Sequence, residues 1–187
     1  MKKISQLKKY VNKYQITEFY NLVITDPQGR SLYSDGKFML WDPGFDFDIT
    51  PDYKREAIKP LPKLCTLEAI ALPNYKRILS DPVGTPFEFS PTVLKAFKNV
   101  YGKNSEHPFL HFNDKGITID TEEDRQGNLY CTMTDATETY PVDMIFNVFY
   151  LSSLDIVRGQ LDADKYRMYF ETKQGEVGIL QGMRRDS

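Results

Sequence analysis

His107 and His111, the only histidines in the chain, stand four residues apart in "HPFLH". Positions four apart on a strand share a face, so the pair could supply two ligands to a metal ion. Zinc needs more donors than that, and no nearby cysteine completes the set. Pro108 between them marks a strand entry, and the two are read as ordinary polar residues at a strand start. Asp42, Asp46, Asp48 and Asp52 in "WDPGFDFDITPD" gather four carboxylates that could together hold a divalent cation. A calcium loop fixes the places of its glycine and its terminal glutamate, and this stretch has both misplaced. It reads as a solvated loop with partly buried rings. "PD" at 51–52 and "ETK" at 171–173 contain the carboxylate and lysine types that two-metal phosphodiester cleavage uses. Their separation is too great for a compact nuclease core, and Glu68 has no lysine two residues later. The histidines have no candidate nucleophile in local context, and no glycine loop with lysine and Ser/Thr cradles a phosphate. The residues therefore assign no catalytic group, no metal and no cofactor, and the chain is read as non-enzymatic.

The basic residues are more informative. The formal net charge of −2, from 24 Lys+Arg against 26 Asp+Glu, argues against a simple basic nucleic-acid-binding protein. Their placement is uneven. Lys2, Lys3, Lys8, Lys9 and Lys13 fall in or beside a first helical stretch, Lys95, Lys98 and Lys103 in or beside a second, and neither helix holds an acidic residue. Acidic residues concentrate in "DPGFDFDITPD", "TEED" and "TDATE", on loops and strands. Such a protein would turn its lysines toward phosphates and repel DNA elsewhere, and lysine suits the task as a hydrated, flexible point charge. The plain alternative is lysine carried for solubility. Candidate DNA-facing residues are Lys8, Lys9, Lys13, Lys95, Lys98 and Lys103, with Lys76 and Arg77 of "PNYKRIL" as weaker additions. Trp41, Phe45 and Phe47 in the acidic loop read as exposed anchors for a protein partner; the alternative is that they cap the first sheet.

These residues need a scaffold. At 187 residues the chain is one ordinary domain or two small ones, and 41% hydrophobic residues can build a core. Twelve Tyr and twelve Phe favour strands over a helical bundle. No apolar run approaches the roughly 18–20 residues that span a bilayer, and "MKKISQLKKYVNKYQ" lacks the apolar core of a signal peptide. Cys65 and Cys131 read as free buried thiols of a reducing compartment, hence a cytoplasmic location, a host's cytoplasm if the gene is viral. Ile4, Leu7, Tyr10, Val11 and Tyr14 recur at helical spacing, as do Val93, Leu94, Phe97, Val100 and Tyr101 after the Ser90-Pro91 cap. "FYNLVITDPQGRSLYSDGKFMLW" predicts strands separated by turns, and "DPGFDFDITPDYKREAIKPLP" a long loop. "TLEAIAL" predicts a strand and "PNYKRIL" a short helix. "DPVGTP" reads as a linker, "FEF" as a strand, and "HPFLHFNDKGITIDTEED" and "GNLYCTMTDATETYPVDMIFNVF" as further strands. Residues 143–149 end a buried strand, and 150–158, with Leu151, Leu154 and Val157 at spacings of three, predict a short helix. "KYRMYFETKQGEVGILQGM" predicts a closing hairpin turning near Gln174-Gly175.

The two halves echo each other, each with a basic amphipathic helix, a strand, and a turn at "TDPQG" or "FNDKG" that pairs Gly29 with Gly116. Each half later runs an apolar strand into a short helix. On "FEFSPTVLKAFKNV", "IFNVFYLSSLDIV" and "KYRMYFETKQGEVGIL", residues 86 to 185 resemble one domain of a DNA sliding clamp, the polymerase processivity factor family, in a phage-like form. The resemblance implies an α+β fold of antiparallel sheets with short helices on one face, divided into a degenerate clamp-like domain at 1–82 and a clamp-like domain at 83–187. The first is degenerate because no closing hairpin follows Leu79. The family likeness further implies sheets outside and helices lining a hole around duplex DNA, no enzymatic activity, and a DNA polymerase and a clamp loader as partners. Phage clamps with two domains per subunit close as trimers, so a homo-oligomer is expected. The rival reading is a clamp-like or α+β interaction protein of viral origin that binds or inhibits a host protein.

Overall fold

Short strands separated by glycine-bearing turns dominate the computed structural model, which describes residues 21–58, 61, 65–68, 70–72, 74–79, 84–90, 109–121, 130–135, 138–147 and 156–182. The predicted helices over 4–14 and 91–101 lie outside these residues. The chain splits into two compact units, residues 1–82 with Gly175–Ile179, and residues 83–174 with 180–187.

In the first unit, β1 (Leu22–Thr25), β2 (Ser31–Ser34) and β3 (Phe38–Trp41) form an antiparallel meander. Every residue of β2 and β3 is buried; β3, "FMLW", reads as a continuous apolar run, while β2 buries a serine at each end. Tight turns set the register. Between β1 and β2, the Gly29 N–H donates to the Asp26 carbonyl at 2.9 Å, with Gly29 at φ +80°, where side chains other than glycine are disfavoured. Between β2 and β3, the Asp35 carboxylate accepts the backbone N–H of Lys37 and of Phe38 at 2.9 and 2.8 Å. The Tyr33 hydroxyl donates to Asn21 Oδ1 at 2.6 Å and satisfies a fully buried phenol.

The sequence reading missed β4 (Lys54–Ala57). It is the outer strand of the order β4-β1-β2-β3 and pairs antiparallel with β1. Its sequence, "KREA", carries no apolar signal because it is half solvated, and charged residues at a sheet edge discourage pairing with foreign strands. "TLEAIAL" is not a strand; its described residues form turns and irregular backbone. The short helix is present as α1 (Tyr75–Ile78), capped by Asn74, whose side-chain oxygen accepts the Arg77 N–H at 3.0 Å.

The second unit begins with β5 (Thr85–Glu88) and continues through β6 (Phe109–Asn113), β7 (Gly116–Thr121), β8 (Tyr130–Asp135) and β9 (Met144–Asn147). Next come β10 (Ile156–Asp162), β11 (Arg167–Thr172) and β12 (Val177–Gln181), the last contributing residues to both units. Hydrogen bonding gives the orders β12-β11-β10-β5 and β8-β7-β6-β9. The predicted hairpin of β11 and β12 is present, with Gly175 at φ +84° in its turn. Gly116 takes φ +114° between β6 and β7. Of the helix predicted over 150–158, residues 150–155 lie outside the described residues, and its last three residues are strand. Ile156 to Arg158 belong to β10, and the Val157 carbonyl accepts the Phe89 N–H at 3.0 Å. A register shift between Ile156 and Arg158 gives this stretch an extra residue, so its apolar spacing is not that of a plain strand. Arg158 lies opposite Glu171 and bonds it, Nη2 to Oε2 at 2.8 Å, an exposed pair worth about 0–1 kcal/mol.

An aromatic cluster fills the second core. Phe112 meets Phe87, Tyr140 and Phe146 at ring-centroid distances of 5.0, 5.1 and 6.0 Å. Phe87 on β5 and Phe112 and Phe146 on β6 and β9 join the two sheets of this unit, and each is at most 2% exposed. Rings of this size contribute large apolar area and prefer such tilted contacts.

Candidate functional site

The acidic, aromatic loop after β3 forms one side of an open cleft. Two contacts anchor its start: the Asp42 N–H donates to the Ser31 carbonyl at 2.9 Å, and the Ser31 N–H to Asp42 Oδ2 at 2.8 Å. Gly44, at φ +73°, turns the chain so that Phe45 drops inward. Phe45 and Phe47 meet at 5.0 Å, Trp41 and Phe47 at 5.5 Å, and Phe47 and Tyr75 of α1 at 6.2 Å. The loop closes where the Tyr53 hydroxyl donates to the Asp46 carbonyl at 3.1 Å.

This packing revises the reading of the three aromatic residues. Trp41 and Phe45 are 8% and 5% exposed, so they do not stand out as partner anchors; they pack beneath the loop against the first sheet. Burying rings that large removes more apolar surface from water than the loop's polar residues could compensate by solvation. Phe47 alone of the three stays half-buried, and it lines a cavity of about 450 Å³. Asp48, Ile49 and Thr50 form the loop side of that cavity, and Leu72, Asn74 and Tyr75 the other. Nothing in the spacing of "ITPDYKREAIKPLPKLCTLEAIALPNY" announces that 49–50 and 72–75 meet. The one local signal is Asn74, whose cap starts the helix that carries Tyr75.

The four aspartates do not form a cation cage. Asp42 accepts from Ser31, Asp46 Oδ1 accepts the Asp48 N–H at 2.9 Å, and Asp52 bonds the Thr50 hydroxyl. Asp46, Asp48 and Asp52 are exposed. Burial pushes the Tyr75 phenol above its ordinary pKa, against the opposing influence of Ser34 and Arg55, and its hydroxyl lacks a well-formed hydrogen bond. Burial, then the charge of Asp46 and its neighbours, raises Tyr53 as well.

Lys8, Lys9, Lys13, Lys95, Lys98 and Lys103 lie outside the described residues, as does His107. Lys76 and Arg77 are both on α1, with Arg77 exposed. His111 Nε2 on β6 sits 2.6 Å from Oδ1 of Asp143, which lies just before β9. Cys65 is free, but half-buried rather than buried. Asp52 and the "ETK" stretch belong to different units, with Glu171 bonded to Arg158. Among the described residues no group of three or more His, Cys, Asp or Glu is arranged to hold a metal, and no helix is long and apolar enough to cross a membrane.

Two units of antiparallel strands in this order make a clamp-like fold, of the class seen in DNA polymerase beta subunits. The DNA polymerase III subunit beta of Pseudomonas aeruginosa matches with a TM-score of 0.56 at 12% identity, over 97% of this chain and 65% of that one. The beta subunit from DNA polymerase of Streptococcus pyogenes gives 0.53 at 11% identity, over 97% and 64%. A DNA polymerase sliding clamp from Caulobacter crescentus gives 0.47 at 11% identity, over 83% and 41%. The chain thus spans less than two thirds of the length of these proteins. No family model and no curated protein sequence matches it. The likeness is one of fold.

Proposed function

We propose that this chain is a non-enzymatic, DNA-encircling clamp that holds a DNA polymerase on its template. The observation that carries this reading is the clamp-like fold over 97% of the chain. On this reading the domains expected at 1–82 and 83–187 act as two clamp-like domains of one subunit, and copies of the chain close as a trimer in the cytoplasm, a host's cytoplasm for a viral gene. Lys8, Lys9, Lys13, Lys95, Lys98 and Lys103, with Lys76 and Arg77 in support, face the phosphate backbone of duplex DNA. Binding of this kind carries no sequence preference, because phosphates are alike along the duplex. A polymerase and a clamp loader are the remaining partners.

Three measurements test it. Light scattering at several concentrations should give a stable mass of three times 21.7 kDa, and a strict monomer would overturn the autonomous ring. The double variant Lys95→Glu/Lys98→Glu should lower the slope of log K against log salt for duplex DNA by about 2, since each phosphate contact contributes about 0.9. Retention on a nicked circle, lost when the circle is linearised, should mark encirclement. An unchanged slope in the double variant would remove these lysines from the DNA-facing surface.

A further inference from the structure

Tyr166, in the turn between β10 and β11, has φ +54° and is the one non-glycine among the described residues with a positive φ. A bulky side chain disfavours that backbone region, so the surrounding contacts must hold the residue there. They come from two directions. From the end of β12, the Gly182 N–H and Gln181 Nε2 both donate to the Tyr166 carbonyl at 2.8 Å. Toward β9, the Tyr166 hydroxyl donates to the Asp143 carbonyl at 3.3 Å. The ring itself lies over Gly182, where an added Cβ would come within 2.5 Å of Tyr166 Cδ1.

Gln181 grips the turn on both sides of Tyr166. Its Nε2 also donates to the Lys165 carbonyl at 3.3 Å, and its Oε1 accepts from Arg167 Nε at 3.2 Å. Asp143, held at its carbonyl by Tyr166, holds His111 through its side chain, Oδ1 to Nε2 at 2.6 Å. The His111 side chain is 14% exposed and that of Asp143 79%, so hydrogen bonds rather than packing fix the Asp143 carboxylate. Asn113 Nδ2 stays 3.5 Å from either nitrogen of the imidazole, which leaves Asp143 as its close partner. All of these residues belong to the second unit, and the chain of contacts runs from the sheet holding β12, β11 and β10 to the sheet holding β6 and β9.

We propose that Tyr166 is a conformational joint that couples the end of β12 to His111 on the other sheet of this unit. While Gln181 and Gly182 bond its carbonyl, Tyr166 stays left-handed and its hydroxyl reaches Asp143. When the end of β12 draws away, the turn relaxes to ordinary backbone, the hydroxyl leaves Asp143, and the aspartate releases His111. The turn thus has two discrete arrangements, and a contact at either end biases both. The coupling stands apart from the DNA reading, since it uses none of the helix lysines.

The test uses the full chain with carbon-13-labelled histidine, whose imidazole signals are followed by NMR at one fixed pH. The chain has two histidines, and His111→Gln assigns the signal of His111. Tyr166→Phe, which deletes only the hydroxyl, should displace that signal. Gln181→Ala, acting from β12, should displace it in the same direction and speed hydrogen exchange at the Gly182 N–H by about tenfold. The double variant should move it no further than Tyr166→Phe alone, because both changes act through one joint. Arg158→Gln, on β10 but outside the network, should leave the signal in place. An unmoved His111 signal in Tyr166→Phe would overturn the proposal. So would displacement by Tyr166→Phe but not by Gln181→Ala, or displacements that add in the double variant.

Discussion

Asp26 sits at the first turn with its side chain fully buried, where a carboxylate left alone would be driven neutral. Burial by itself pushes its pKa up. The Arg30 backbone N–H at 2.8 Å, the Arg30 guanidinium at 2.6 Å, its positive charge and the Gln28 backbone together outweigh that push. They hold the carboxyl below its ordinary value of 3.8. A folded pKa below the unfolded one stabilises the native state above about pH 4, and that contribution is lost as pH falls through the folded value. Asp26→Asn should therefore be less stable to urea than the wild type at neutral pH, by about 1–3 kcal/mol, with the gap narrowing as the pH falls below the ordinary carboxylate range. A gap that stays constant across this range would place the contribution in shape rather than charge. At the same scale, the aromatic residues of the acidic loop were only partly legible in the sequence. Their types and their link to the first sheet could be read, but which ring faces outward depends on Gly44 and on Tyr75 arriving from thirty residues downstream.

Between β5 and β10, Gly159 is opposite Phe87, and the contact leaves no room for a side chain. A Cβ there would strike the Tyr169 carbonyl and lie 2.6 Å from Phe87 Cζ. Gly159→Ala should cost about 1–3 kcal/mol, read as a lower urea midpoint with little change in slope. Wild-type stability would mean that β10 shifts to accommodate the methyl group. Strands of this kind were legible where apolar residues ran together or a turn residue marked the boundary, as in β1 to β3, β6 to β9 and the closing hairpin. Pro86 fits β5 because, among the described residues, that strand pairs with β10 alone and is an edge. The missed strand has a physical cause: pairing with β1 supplies strand character to "KREA", whose residues carry no apolar signal of their own. Ile156 to Arg158 are strand through their pairing with β11 and β5 rather than through any apolar alternation. The cavity was not legible, because 49–50 and 72–75 are brought together by the chain's path around β4 rather than by any motif.

Across the whole molecule, the first unit is not contiguous in sequence, since Gly175–Ile179 clusters with residues 1–82. The sequence offers no closing hairpin after Leu79, and the start of β12, beside β3, provides a closing strand from the far end of the chain. A fragment of residues 1–82 should accordingly show no cooperative thermal transition by circular dichroism, while the full chain should. A sharp transition in the fragment would mean that β4-β1-β2-β3 suffices. The arrangement also has a consequence for synthesis on the ribosome. Domains commonly fold as they emerge, N-terminal first, at about 5–20 residues per second. Here the first segment out of the exit tunnel must wait roughly 5–20 s for β12 to be translated, with the edge of β3 unpaired meanwhile. Messages that slow translation between the codons for Pro82 and Ile179 should lengthen that exposure and lower the soluble yield, without any change in the protein encoded.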